Sequence, residues 1–440
     1  MSIKTEEKYS YDVIVIGAGH AGCEAALSSA RNSSKTLLLS INLDSIAIMP
    51  FGSTVGGIAR SRLLKEIDLL GGEIPKNIDK NVIHLKEVKN KKNKDITLQA
   101  IVDRRRYSLS MKEVLEKQNN LDLRQGLAVN IKKGNGEYFL YTSDGVNYSC
   151  RSVIICTGTF LKGKIFWGEY ILEAGRQGEI CSKKLLNCLK NLGFRFGKLR
   201  NYTAPVIDKK SIDLKNLKKQ PCSRSHKTFS NKTEYKNIEQ NYYYITSINK
   251  DFFRFLSINA ADMKKKDIEG KEILIKPLGR DIKEAYLEGL ETSVSEKMQI
   301  EMLKKIKNFG KVEMTRPGYG IEYSYLLPYQ LNSNLESKIL KRIFFAGQVN
   351  GTAGYEESAA QGLLAGINAS REAKNRVSII MDREDGYIGL LISDLTLKRI
   401  KRPYRIKINK NDPLDVDSDD NDNKISKILS IISNSIEHKK

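Results

Sequence analysis

Tyr11-Asp12-Val13-Ile14-Val15-Ile16-Gly17-Ala18-Gly19-His20-Ala21-Gly22-Cys23-Glu24-Ala25-Ala26 is the stretch on which the reading of this sequence turns. Tyr11–Ile16 is a short apolar run of the kind buried in a parallel sheet. Gly17–Gly22 then fits G-x-G-x-x-G, and Ala21–Ala30 is an Ala-rich helical stretch. Lys35–Ser40 is a second buried-strand run, and strand, helix and strand in this order make a βαβ unit. Glycines are needed at such a loop for a tight turn, for close approach of a pyrophosphate and for packing of helix on strand. The helix N-terminus adds a positive field. Gly17, Ala18, Gly19, His20, Ala21 and Gly22 are therefore the candidate dinucleotide-binding residues.

The acid that holds a ribose at the end of the second strand is missing, because Ser40-Ile41-Asn42 occupies that place. Asn42 is one candidate for the ribose hydroxyl, and Asp44 reaching back is another. Two later features favour FAD over NAD. Val153–Gly158 resembles the second strand-to-loop element of flavoproteins with two dinucleotide folds, which makes Thr157 and Gly158 candidates. Phe344-Phe345-Ala346-Gly347-Gln348 is similarly placed before the last helix, which adds Gly347 and Gln348. Plain buried strands ending in turns are the alternative for this later pair.

Together these segments resemble the MnmG (GidA) family of FAD-dependent tRNA wobble-uridine carboxymethylaminomethyl modification enzymes. The similarity runs through Tyr11–Ala26, Val55–Gly72, Thr157–Gly163, Arg316–Tyr323, Leu335–Lys338 and Phe344–Asn368, and extends weakly to Tyr387–Arg405. The resemblance implies FAD along Gly17–Gly22, with Leu127 and Gln348 at the family's other flavin positions. It also implies hydride from NADH, a folate-carried one-carbon unit, an MnmE-type GTPase partner, a tRNA substrate and a homodimer.

Three departures from the family pattern matter. Phe51, in Met49-Pro50-Phe51-Gly52-Ser53, stands where the family has a cysteine. The family's Tyr-Cys-Pro-Ser-Ile-Glu segment has no counterpart, and the corresponding stretch near Phe253–Ile275 contains no cysteine. The chain also stops far short of the family's usual length, so the helical C-terminal region that meets the GTPase and tRNA is expected to be lost. Nucleophilic catalysis by a thiol is beyond phenylalanine, and no catalytic residue is assigned from the sequence. Glu356 and Glu357 face the flavin ring or complement the dipole of the following helix. The Arg104-Arg105-Arg106 run grips tRNA phosphates or is a solvated turn.

Lys and Arg number 74 against 52 Asp and Glu, for a net charge of +22. Such a surplus points to a phosphate-rich partner, nucleic acid before an anionic membrane surface; biased composition is the bland alternative. The six cysteines (Cys23, Cys150, Cys156, Cys181, Cys188, Cys222) form no CxxC pair, and only four histidines accompany them. No zinc or other metal site is expected, and free thiols fit a reducing compartment. No apolar run approaches the roughly 20 residues that span a bilayer, and the N-terminus lacks the apolar core of a signal peptide. A cytoplasmic protein without membrane contact is expected.

The expected fold is α/β: an FAD-binding two-dinucleotide-fold (Rossmann-like) domain with an inserted second α/β domain and a short C-terminal tail. The boundaries expected are 9–200 and 313–375 for the two parts of the FAD-binding domain, 201–312 for the insert and 376–440 for the C-terminal region. That last region holds seven basic side chains over 398–410, six aspartates over 412–422 and a short amphipathic helix near Ile425–Ile436. The aspartate block is expected to be a self-repelling linker. Lys86–Lys94 is expected to be a solvated loop or hairpin tip.

Three functional readings stay open. One is an FAD-dependent MnmG-type enzyme of tRNA wobble-uridine modification. The second is a catalytically degenerate, flavin-binding paralogue that acts as a binding or assembly module. The third is a flavin- or folate-dependent enzyme acting on another RNA.

Overall fold

The computed structural model describes residues 9–89, 96–223, 225–234, 241–250, 252, 254, 270–398, 400, 402–407, 426 and 430. The first apolar run becomes the strand Ser10–Ile16, interior to a seven-stranded sheet. Val13, Ile14 and Val15 are fully buried because strands flank them on both sides. Thr36–Ser40 and Asn147–Ile155 are those neighbours, both parallel to it. Leu121–Gln125 adds beyond Thr36–Ser40, and Ile343–Phe345 beyond Asn147–Ile155, again in parallel. Tyr138–Thr142 and Ala128–Lys133 continue the sheet with antiparallel pairing. The chain thus builds outward on one side of Ser10–Ile16 and then crosses to the other. The carboxyl ends of the strands at such a switch point leave a crevice for a ligand.

The helix His20–Arg31 is buried from His20 through Ala30, which small side chains allow. It packs against the long helix Tyr355–Ala373 with the two backbones almost touching. A Cβ on Gly362 would lie 2.0 Å from the Ala21 carbonyl oxygen, and one on Gly366 would lie 2.3 Å from that of Ala25.

Buried carboxylates tie further elements to this layer. Glu24 accepts the N–H groups of Glu73 (2.8 Å) and Ile74 (2.6 Å), where the helix Ile74–Asn81 begins. Glu66, in the helix Ile58–Leu69, accepts those of Tyr387 (2.6 Å) and Ile388 (2.8 Å), at the start of the helix Tyr387–Leu397. Backbone donors at a helix N-terminus offset the desolvation of an acid placed there.

The remaining strands form antiparallel sheets. Tyr170–Leu172, Lys164–Trp167, Gly320–Leu326 and Phe196–Tyr202 make a four-stranded sheet over one side of the crevice. A six-stranded sheet runs in the order Lys218–Pro221, Tyr242–Ser247, Glu272–Pro277, Glu284–Glu288, Val206–Asp208, Met314–Arg316. It carries its own core, including Ile207, Ile273, Leu287, Leu303 and Phe309, closed by the helix Glu296–Lys304. The fold is thus α/β with a parallel dinucleotide-type sheet and an inserted second unit, as the sequence indicated.

Of the Lys86–Lys94 patch, Lys86–Lys89 complete the strand Val82–Lys89, which pairs antiparallel with Ile96–Val102 up to Lys89 and Ile96, in keeping with the hairpin expected there, and 90–95 lie outside the described residues. The aspartate block at 412–422 and, apart from Ser426 and Ser430, the helix expected near Ile425–Ile436 also lie outside them. Among the described residues no helix is long and apolar enough to cross a membrane.

Candidate dinucleotide cleft

The glycines of the first loop each answer a separate physical demand. Gly17 has φ +102°, and a Cβ there would lie 2.5 Å from the Cys156 carbonyl oxygen. Gly22 lies beneath it, where a Cβ would come within 1.7 Å of the Gly17 carbonyl oxygen. Gly19 has an ordinary φ of −73° and caps the helix, and a Cβ on it would meet nothing within 4 Å. The first two glycines are required by the protein's own packing, while the third faces open space.

That space is a cleft of about 1210 Å³, part of it open to solvent, running over the carboxyl ends of the five parallel strands. Gly17, Ala18, Gly19, His20, Ala21, Leu127, Thr157, Gly158 and Gln348 all line it. Gly22 is under the loop rather than in the wall. Gly347 (φ +89°) sits behind it, with a Cβ position 2.7 Å from the Ala21 Cβ. Asn42 lines the end near Leu127, and its side chain accepts the Asp44 N–H at 2.8 Å. Asp44 instead points to solvent and pairs with Lys112 at 3.0 Å.

Three buried polar atoms on this wall have no hydrogen-bond partner among the described residues: His20 Nε2, Thr157 Oγ1 and Gln348 Nε2. Buried polar groups are seldom left unpaired without a ligand or water to meet them. They come from the ends of three different strands and converge on one cavity. With the helix N-terminus at Gly19, the arrangement can hold a phosphate near the loop and a polar heterocycle beside Gln348. His20 is stacked on Tyr355 at 4.5 Å, with Tyr107 at 5.7 Å on a second contact. Burial lowers its pKa to about 3, so it is neutral at physiological pH.

At the end away from Leu127 the wall is made of side chains: Phe51, Arg176, Tyr319 and Tyr355. The Tyr355 hydroxyl accepts the Phe51 N–H (2.9 Å) and donates to the Gly52 carbonyl (3.0 Å), which fixes the loop that carries Phe51. Arg176 Nη2 reaches both oxygens of Glu179 at 2.7 Å. The Ser45 hydroxyl donates to the same carboxylate and so links two walls. Cys156 is the one cysteine lining the cleft among the described residues, and burial pushes its thiol pKa far up. Burial acts in the same direction on Cys23, whose thiol donates to the Ala18 carbonyl at 3.4 Å.

Glu356 and Glu357 are fully buried but line no part of the cleft. Glu356 accepts the Gly56 N–H at 2.7 Å, and Glu357 accepts the Ile406 N–H at 3.0 Å. Arg60 stands between them, 3.8 Å from Glu356 and 3.4 Å from Glu357. Burial raises the Glu356 pKa, and Arg60 opposes that rise. These acids brace the Gly56 turn and the 402–407 segment, and both stand in the first turn of the helix Tyr355–Ala373, where they complement its dipole.

Arg176, Glu179, Tyr319 and Ser45 are wall residues that sequence reasoning missed. A signal existed for the first two: Gly175-Arg176-Gln177-Gly178-Glu179 places opposite charges three apart between glycines. Nothing local marked Tyr319 or Ser45.

A family model described as glucose inhibited division protein A (GIDA) matches residues 12–271 and 244–377. The chain belongs to the GidA family. The tRNA uridine 5-carboxymethylaminomethyl modification enzyme MnmG of Lactobacillus gasseri is 38% identical over 432 residues, covering 92% of this chain and 68% of that protein. The MnmG of Geobacillus thermodenitrificans is 38% identical over 422 residues, covering 90% and 67% respectively. A solved structure of Aquifex aeolicus GidA in its form II crystal superposes with a TM-score of 0.93 at 34% identity, over 99% of this chain and 75% of that one. The segments matched by the GidA model contain every residue of the cleft wall.

Proposed function

We propose that this chain is an FAD-binding protein of the MnmG type that takes part in modifying the wobble uridine of tRNA. One observation carries the reading: three orphaned polar atoms, His20 Nε2, Thr157 Oγ1 and Gln348 Nε2, converge on a glycine-cradled cleft in a GidA family member. Relatives that match over nine-tenths of the chain bear the name of that tRNA-modifying enzyme.

The residues present fit the cofactor. Gly17–Gly22 and the N-terminus of the His20–Arg31 helix would hold the pyrophosphate. Asn42 and Leu127 would meet the adenosine end, and Thr157, Gly158 and Gln348 the ring, with Gly347 supporting the turn behind them. Bound FAD supplies reversible electron transfer. The chain's own part is to bind, orient and exclude water. Phe51, held by Tyr355, covers the ring end with an apolar face where the family has a thiol. Neutral His20 offers one N–H or one lone pair at Nε2, according to its tautomer.

By the same resemblance, NADH is the reductant, a folate is the one-carbon donor, an MnmE-type GTPase and a second copy of the chain are partners, and the location is cytoplasmic. The +22 charge supports tRNA as the substrate. Phe51 in the cleft favours the second reading, a flavin-binding paralogue without thiol chemistry. The division into 9–200 with 313–375, 201–312 and 376–440 is part of the proposal.

The test is to reduce the purified yellow protein anaerobically with NADH and to profile wobble nucleosides in a strain lacking its gene. Bleaching of the visible band together with loss of the carboxymethylaminomethyl nucleoside supports the enzyme. Bound flavin that no nicotinamide reduces, with an unchanged profile, transfers the conclusion to the paralogue.

A further inference from the structure

The parallel ladder of the strand Ile343–Phe345 ends where the Ala346 N–H meets the Ile155 carbonyl at 3.1 Å. One residue on, the Gly347 N–H donates to Gln361 Oε1 at 3.1 Å, a side chain in place of a strand. Gln361 is fully buried in the helix Tyr355–Ala373 and lines no part of the cleft. The same oxygen accepts the Asn350 side-chain amide at 2.9 Å, and that amide also donates to the Phe345 carbonyl at 2.7 Å. Gln361 Nε2 donates to the Thr352 hydroxyl at 3.2 Å and to the Glu357 carbonyl at 2.9 Å.

These bonds hold the turn Gln348–Asn350 from both ends. Inside it, the Asn350 N–H meets the Gly347 carbonyl and the Gly351 N–H meets the Gln348 carbonyl, both at 2.9 Å. The Gln348 side chain lines the cleft, with Nε2 unpartnered among the described residues. The same stretch of helix also touches the phosphate loop. A Cβ on Gly362, next to Gln361, would lie 2.0 Å from the Ala21 carbonyl oxygen, and one on Gly347 would lie 2.7 Å from the Ala21 Cβ. Only an amide meets the demands on residue 361, because two N–H donors converge on its oxygen and two oxygens take its hydrogens. A carboxylate lacks the hydrogens, and a hydrocarbon would leave buried polar groups unpaired. A buried network satisfied in this way holds a single geometry.

We propose that Gln361 is a positioning residue of the cofactor site. It sets the turn so that Gln348 Nε2 stands at the cleft wall before a ligand arrives, at a spacing from the phosphate loop that the Gly362–Ala21 contact fixes. A donor ordered in advance adds affinity because binding no longer has to order it. The inference rests on the reading of the cleft as an FAD site.

Titration of the full chain, stripped of flavin, with FAD tests this on Gln348→Leu, Gln361→Met and the double variant. Gln348→Leu should weaken FAD binding by about fivefold to tenfold. Gln361→Met should weaken it by a similar factor and alter the visible band of the bound flavin in the same way. The double variant should bind no more weakly than the weaker single one, because both changes remove one shared interaction. Losses that multiply, or a folded Gln361→Met protein with unaltered affinity or an unaltered flavin band, would overturn the proposal. Hydrogen exchange of the unaltered protein decides the matter even if Gln361→Met fails to fold. The Gly347 amide should be nearly as well protected without FAD as with it, and protection that appears only with FAD would overturn the assignment. Failure of the cofactor reading has a separate signature, namely unaltered protein that takes up no FAD.

Discussion

The two ends of the cleft are built in different ways. The phosphate loop is one contiguous run, Gly17–Gly22, whose function resides in backbone geometry and in the absence of side chains. The far end is assembled from Phe51, Arg176, Tyr319 and Tyr355, which come from four separate segments and act through side-chain atoms. A backbone device of this kind tolerates almost no substitution at the positions that touch the protein itself. A side-chain device can change its chemistry one residue at a time.

That contrast can be broken first at the loop. Gly22→Ala places a methyl 1.7 Å from the Gly17 carbonyl oxygen, so it should destabilise the protein by about 3 kcal/mol or more and abolish flavin retention. Gly19→Ala meets nothing within 4 Å, so thermal unfolding should barely shift while FAD affinity falls. Equal losses of stability from both changes would refute the division of labour among the glycines.

At the side-chain end, Tyr355→Phe removes the acceptor of the Phe51 N–H and the donor to the Gly52 carbonyl. Denaturant unfolding should show a loss of about 1–3 kcal/mol, with the parallel sheet intact by circular dichroism.

A smaller effect concerns His20. Its folded pKa of about 3 lies below the ordinary value of 6.5 because of burial. The unfolded chain therefore takes up a proton first as pH falls. Stability from this group is complete above pH 6.5 and declines between there and about 3, at no more than about 1.4 kcal/mol per pH unit. His20→Phe keeps a ring between Tyr355 and Tyr107 and should flatten that part of the pH profile. An unchanged slope would mean that other groups set it.

The smallest change is expected at Asn42, whose side chain closes an exposed turn on the Asp44 N–H. Asn42→Ala should cost about 0.5–1 kcal/mol, and a reduced FAD affinity beyond that would assign it the ribose.

The sequence was legible where chemistry is local. The βαβ unit, the loop glycines and the strand ends at Thr157 and Gly347 each declare themselves within a few residues. The charged positions were not legible, because their partners are remote in sequence. Arg104 reads as part of a basic turn until Asp103 caps the helix Arg104–Lys117 and separates the three arginines. Glu356 and Glu357 lie in the first turn of the helix Tyr355–Ala373, as the dipole reading has it, but their bonds to the backbone N–H groups of Gly56 and Ile406 join segments too remote in sequence to be read from it. The six-stranded sheet was faint in the sequence because its strands are short and partly exposed, so few show a clean alternation.

The central claim is that the cleft holds FAD. Its most direct test is to purify the protein, denature it, and identify and quantify the released nucleotide by chromatography and mass spectrometry. The account predicts close to one FAD per chain, either carried through purification or taken up on reconstitution, and lost in Gly22→Ala. A folded protein that carries no FAD and binds none when it is added would contradict it.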